Sequence, residues 1–131
     1  MPKYNAKDFE PPAPFAYVRL LNPDTKGGLS DVPMLIDTGA DVTLIPRFVA
    51  NELSLFPSAD VSYELEGFEG STVNASAVYL ELYFLGRTFR GQFLLIDEVH
   101  GILGRNVLNA LALFYDGPNL FWDELRPARR D

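Results

Sequence analysis

The chain contains no cysteine and one histidine, and each scarcity removes a class of chemistry. Without thiols there are neither disulfides nor thiolate metal sites. A lone imidazole, His100, is too little for a histidine metal cluster, and a serine–histidine relay built on it is disfavoured; it reads as an ordinary loop residue. No apolar run is long enough to span a bilayer, and Met1-Pro2-Lys3 does not open a signal peptide. A cytoplasmic location is therefore the expectation. Basic residues are also few: 11 Lys and Arg stand against 18 Asp and Glu, for a net charge of −7. That balance disfavours nucleic acid, whose phosphates it would repel. The cluster Arg126, Arg129 and Arg130 lies at the tail and reads as a solvated terminus.

What is present suits one domain with a core. The 131 residues are 47% apolar and 13% aromatic, enough for a single buried interior. Ten glycines and ten prolines, set between many short apolar runs, favour an all-β chain rich in turns. No internal repeat or low-complexity segment interrupts it. Asn74-Ala75-Ser76 matches a glycosylation acceptor, which without a secretion signal is read as chance.

Three segments are expected: an extended N-terminal arm over 1–14, marked by Pro2, Pro11, Pro12 and Pro14; a domain over 15–125; and a charged tail over 126–131. Within the domain, strands are predicted over 15–21 and 32–36, separated by the turn residues Asn22-Pro23-Asp24 and Gly27-Gly28. A short strand over 42–45 leads to Pro46, placed to open a helix whose apolar face is Ile45, Val49 and Leu53. Val61 to Glu66 alternates with period two and runs into Gly67-Phe68-Glu69-Gly70 and out through Thr72 to Phe84. Another strand follows over 88–96. Val107, Leu108 and Leu111 then give a short helix an apolar face, with Asn106 as its predicted cap. Leu113-Phe114-Tyr115, the turn 116–119 and Leu120-Phe121-Trp122 form a candidate hairpin.

Chemistry concentrates at Leu35-Ile36-Asp37-Thr38-Gly39-Ala40. An apolar strand delivers a carboxylic acid into a turn, followed at once by a hydroxyl and a glycine. A carboxylate that activates water needs a rigid, partly desolvated seat, which the run 33–36 can supply. Gly39 allows backbone N–H groups close to the acid, and Thr38 can both donate and accept a hydrogen bond. Alone, the tripeptide also fits a surface turn, or a phosphate loop of the sugar kinase and actin type. The latter needs two large domains, for which the chain is too short.

A second element decides between these readings. Gly101-Ile102-Leu103-Gly104-Arg105-Asn106 places two apolar residues and a glycine before an arginine that enters a helix. Together, Asp37-Thr38-Gly39-Ala40-Asp41 and Ile102-Leu103-Gly104-Arg105-Asn106 resemble the retropepsins, the single-domain aspartic proteases of retroviruses and their cellular and bacterial relatives. The resemblance extends over about 15–124. It implies an all-β fold, a closed acid-protease barrel with one or two short helices and a flap hairpin whose tip is Gly67 to Gly70. It also implies catalysis by Asp37 with Thr38 and Gly39, without metal or other cofactor. Ala40, Asp41, Val42, Gly67, Phe68, Glu69, Gly70 and Ile102 would meet substrate, Val42 and Ile102 as apolar pocket walls. Gly104 and Arg105 would support the site, the arginine by holding Asp41.

Hydrolysis by carboxyl groups needs two of them, and the chain has one Asp-Thr-Gly sequence. A homodimer with Asp37 of each copy at the two-fold axis resolves this; in the family pattern the two copies of Thr38 bond across that axis. The aromatic hairpin 113–125 is the expected interface. The function expected is an aspartic endopeptidase acting on peptide or protein substrates. The alternative is a catalytically silent module of the same fold that binds peptide or only dimerises.

Overall fold

The computed structural model describes residues 2–57, 61–64 and 72–125. In chain order the elements are β1 (Tyr4–Asn5), β2 (Ala13–Leu21), β3 (Gly28–Ile36), β4 (Leu44–Pro46), α1 (Arg47–Glu52), β5 (Val61–Glu64), β6 (Thr72–Ala75), β7 (Ala77–Phe84), β8 (Arg87–Ile96), β9 (Gly101–Leu103), α2 (Arg105–Leu108), β10 (Leu113–Asp116) and β11 (Phe121–Glu124). The predicted all-β class holds. Among the described residues no helix is long and apolar enough to cross a membrane.

Alternation of side chains builds the barrel. On β2, Ala16, Val18 and Leu20 are buried while Tyr17 and Arg19 face out, and on β7 Val78, Leu80, Leu82 and Phe84 turn inward while Tyr79 stays exposed. Strands with this period-two pattern bury one face, here by curling around a common core. The sheet runs β2–β3–β9–β4–β8–β7, and β7 pairs back onto β2, so the ring is closed. A register shift between Val18 and Leu20 bends β2, so that Arg19 to Leu21 can pair with β7 while the strand keeps β3 on its other side. Two of the contacts are parallel, β3 with β9 and β4 with β8.

Buried polar groups are matched. Asn22, 3% exposed, donates from Nδ2 to the Leu53 carbonyl at 2.8 Å and accepts from the Asp24 N–H at 2.9 Å. The expected turn is thus tied to the end of α1. Glu81 is nearly buried on β7 and receives both the Arg90 guanidinium and the Tyr83 hydroxyl. The hydrogen bond to that carboxylate holds the Tyr83 phenol above its ordinary pKa.

Several boundaries differ from the sequence reading. The proline-rich arm is not simply extended: Tyr4 and Asn5 pair with Pro14 and Ala13, so β2 begins two residues early. The strand predicted over 32–36 begins at Gly28, and that predicted over 42–45 is Leu44–Pro46. Pro46 is the N-cap of α1 rather than its first residue. Asn106 is not the cap of α2; Gly104 holds that position, and the helix ends at Leu108, before Leu111. The run 72–84 breaks at Ser76, and β5 pairs with β6 from Val61 opposite Ala75 to Glu64 opposite Thr72. Leu65, Glu66 and the tip residues Gly67, Phe68, Glu69 and Gly70 lie outside the described residues, as does the tail 126–131.

The C-terminal hairpin forms as expected. Its aromatics divide between two tasks. Trp122 belongs to the chain's own core, 1% exposed, with its indole N–H donating to the Phe15 carbonyl at 2.7 Å and its ring 6.0 Å from that of Phe84. Phe114 remains 39% exposed. Trp122→Ala should therefore cost about 3–5 kcal/mol of unfolding free energy, and Trp122→Phe about 1–3 kcal/mol, because the Phe15 carbonyl loses its donor. Urea denaturation of the two variants measures both.

Candidate active site

β3 carries the chain from the barrel wall straight into the loop 37–41. Ile36 is buried and pairs with Leu103, and the Asp37 N–H donates to the Leu103 carbonyl at 3.1 Å. The strand therefore holds the acid's backbone through its last ladder bond. Beyond it the chain turns: the Ala40 N–H donates to the Asp37 carbonyl at 3.2 Å, and the Gly39 N–H donates to Asp37 Oδ1 at 2.9 Å. A Cβ at Gly39 would stand 3.1 Å from that same oxygen. Glycine at this position thus lets the backbone come up to the carboxylate, as the sequence suggests. Asp37 is partly buried, whereas Thr38 and Gly39 are exposed.

The second motif clamps this loop from below. β9 lies between β3 and β4, parallel to the first and antiparallel to the second through Leu44 opposite Ile102. A Cβ on Gly104 would fall inside van der Waals contact of the Val42 carbonyl, and one on Gly101 would overlap the Leu44 carbonyl and the Met34 thioether. The Arg105 N–H donates to the Ala40 carbonyl at 2.8 Å, and the Arg105 guanidinium donates to the Thr38 carbonyl at 2.8 Å. The arginine thereby supports the loop through a backbone acceptor. Sequence positions 37–42 and 101–105 are brought together as one unit, in which Val42 and Ile102 are each partly exposed.

One residue of the clamp escaped the sequence reading. Thr43 is 1% exposed; its hydroxyl accepts from the Gly104 N–H at 3.0 Å and donates to Asn106 Oδ1 at 2.7 Å. A single oxygen thus joins the two motifs and fixes the start of α2, and it also explains why Asn106 is not a cap. The available signal was a hydroxyl between two apolar residues, since a buried polar group requires partners. A separate groove of about 660 Å³, lined by Tyr17, Arg19, Tyr83 and Trp122 among others, contains none of these residues. Among the described residues no cluster of His, Cys, Asp or Glu could hold a metal.

A closed barrel with this clamped acid loop is the retropepsin fold. The chain belongs to the aspartyl protease family, matching the family model of that description over residues 24–107. Among solved structures it is similar to EIAV protease complexed with the inhibitor HBY-793, at a TM-score of 0.54 and 22% identity, covering 75% of this chain and 86% of that one. It is also similar to a retropepsin-like aspartic protease from Rickettsia conorii, at a TM-score of 0.59 and 15% identity, covering 93% of this chain and 87% of that one. At such identities the likeness is one of fold. No curated protein matches the chain.

Two substitutions test the clamp. Thr43→Val removes the hydroxyl but not the bulk and should cost about 1–3 kcal/mol, by leaving the Gly104 N–H buried without an acceptor. Gly104→Ala should be at least as damaging, because the Cβ meets backbone rather than a movable side chain. Thermal denaturation and the loop amides' hydrogen exchange report both.

Proposed function

We propose that this protein is an aspartic endopeptidase that works as a homodimer. The observation that carries the reading is the presentation of Asp37, its carboxylate held by the Gly39 N–H on a loop clamped through Arg105, in a chain with one Asp-Thr-Gly sequence. One such acid is half of the machinery that carboxyl hydrolysis requires.

In the shared site, one Asp37 is ionised and its counterpart from the second copy is protonated. The ionised carboxylate takes a proton from water as the water oxygen bonds to the scissile carbonyl carbon. The protonated one gives its proton to the carbonyl oxygen, so a neutral diol forms. Proton transfer to the amide nitrogen then lets the C–N bond break into a carboxylic acid and an amine. Val42 and Ile102 supply apolar walls for side chains flanking the cleaved bond, and the hairpin β5–β6 serves as a flap that hydrogen-bonds an extended peptide.

The test is cleavage of a peptide library across mildly acidic pH by the native chain and by Asp37→Asn. Cleavage should vanish in the variant, and the native chain should prefer apolar residues about the scissile bond. Equal cleavage by both proteins would overturn the mechanism, and no cleavage by either would leave a silent peptide-binding module. Arg105→Ala should lower kcat/KM by loosening the loop, and an unchanged rate would remove Arg105 from the site.

A further inference from the structure

The strands at the site have two apolar faces, and one of them does not belong to the core. Met34, Ile36, Ile45 and Leu103 turn inward and are buried. The alternate residues Leu35, Leu44 and Ile102 are partly exposed. Register gathers them on the opposite face: Phe15 lies across from Leu35, Leu35 beside Ile102, and Ile102 beside Leu44. Paired residues of adjacent strands point to the same side of a sheet, as do residues two apart along one strand. Asp37, two beyond Leu35, keeps this phase through the bond from its N–H to the Leu103 carbonyl. The carboxylate thus continues an apolar face that the barrel core does not use.

At the far end of that face stand three rings. Phe15 is 3% exposed although it lies on the outer side, and two partly exposed rings pack against it. That of His100 lies edge-on at 5.3 Å and that of Phe9 is tilted at 5.2 Å; these two meet each other edge-on at 5.4 Å. Nδ1–H of His100 donates to the Gly101 carbonyl at 3.2 Å, which orients the imidazole. Phe9 comes from the loop between β1 and β2, where every other residue over 6–11 is exposed. Asn5 shapes that loop: its Oδ1 accepts from the N–H groups of Lys7 and Asp8, each at 3.0 Å, and its Nδ2 donates to Asp8 Oδ2 at 3.1 Å. A loop bonded within itself in this way presents Phe9 as a fixed wall.

We propose that Phe9, together with His100, forms the outer wall of a substrate subsite for an aromatic side chain, so that the N-terminal loop determines part of the specificity. The proposal rests on the shared-site reading and adds the arm to it. Continuity with the acid names the occupant. Leu35 lies about 7 Å along β3 from Asp37, and Phe15 about 5 Å across from Leu35. An extended peptide with its scissile bond at the acid advances about 3.3 Å per residue, so a side chain roughly two or three residues from that bond reaches the rings. The three rings meet one another edge-on or tilted, and a fourth ring gains from the same geometry beyond the area it buries. A wall already in place has little to order on binding, which strengthens the selection.

The test uses peptides in which one phenylalanine is moved stepwise through an otherwise alanine and leucine sequence. Their binding to Asp37→Asn, whose amide cannot act as the base, is read by fluorescence anisotropy. At one position phenylalanine should tighten binding about tenfold over alanine. Phe9→Ala in the same background should lose most of that gain, Phe9→Leu, which keeps bulk without a ring, should lose part of it, and Phe9→Tyr should retain it. Preference at the residues flanking the scissile bond should stay the same in all three, with the far-UV CD spectrum unchanged. No binding of any peptide, or a gain that survives both Phe9→Ala and Phe9→Leu, overturns the assignment. Tighter binding of every peptide once the ring is removed does so too, since Phe9 would then block the subsite rather than line it. Peptides bound with this preference by a chain whose native form cleaves none of them would uphold the subsite and remove the protease reading alone.

Discussion

The site depends on the close seating of one short strand. β9 is three residues long, yet it fills the gap between β3 and β4 and completes the ring. It fits because both glycines that bracket it lack a side chain where neighbouring carbonyls press in. Removing that room would separate β3 from β4, and the acid loop spans the two. The same backbone supplies the Leu103 carbonyl to Asp37, and the chain just after it supplies Arg105 to Thr38 and Ala40. Barrel closure and carboxylate placement are thus one packing problem with one solution.

The termini follow a different logic. Residues 2–5 extend the barrel sideways from β2 and pass the pairing on to β11. Trp122 anchors this extension by filling the space beside Phe84 and by bonding to the Phe15 carbonyl. Burial of one large ring, with its only polar atom matched, lets a two-stranded hairpin stand on the barrel where an isolated hairpin would be marginal.

The strands and the two motifs were legible because their signals are local. Alternation marks β2 and β7, and the residues 37–39 and 101–105 carry their chemistry in their own types. Errors fell where a distant partner decides the outcome. Asn106 has the side chain of a helix cap, but Thr43 claims its oxygen, and Gly104 takes the capping position because the Val42 carbonyl excludes any larger residue. Thr43 was missed for the same reason, since its partners lie more than sixty positions away. The prolines at 11, 12 and 14 disguised the start of β2, where Pro14 is tolerated opposite Tyr4 in a two-residue pairing at the sheet margin.

The bond from Arg105 to Thr38 joins residues 67 positions apart. Closing so long a loop carries an entropic cost that no local contact offsets, and parallel pairing of β3 with β9 must await it. The hairpins of β7 with β8 and β10 with β11, by contrast, join residues close in sequence. A chain emerging during synthesis carries Asp37 long before it carries the residues that hold it in place.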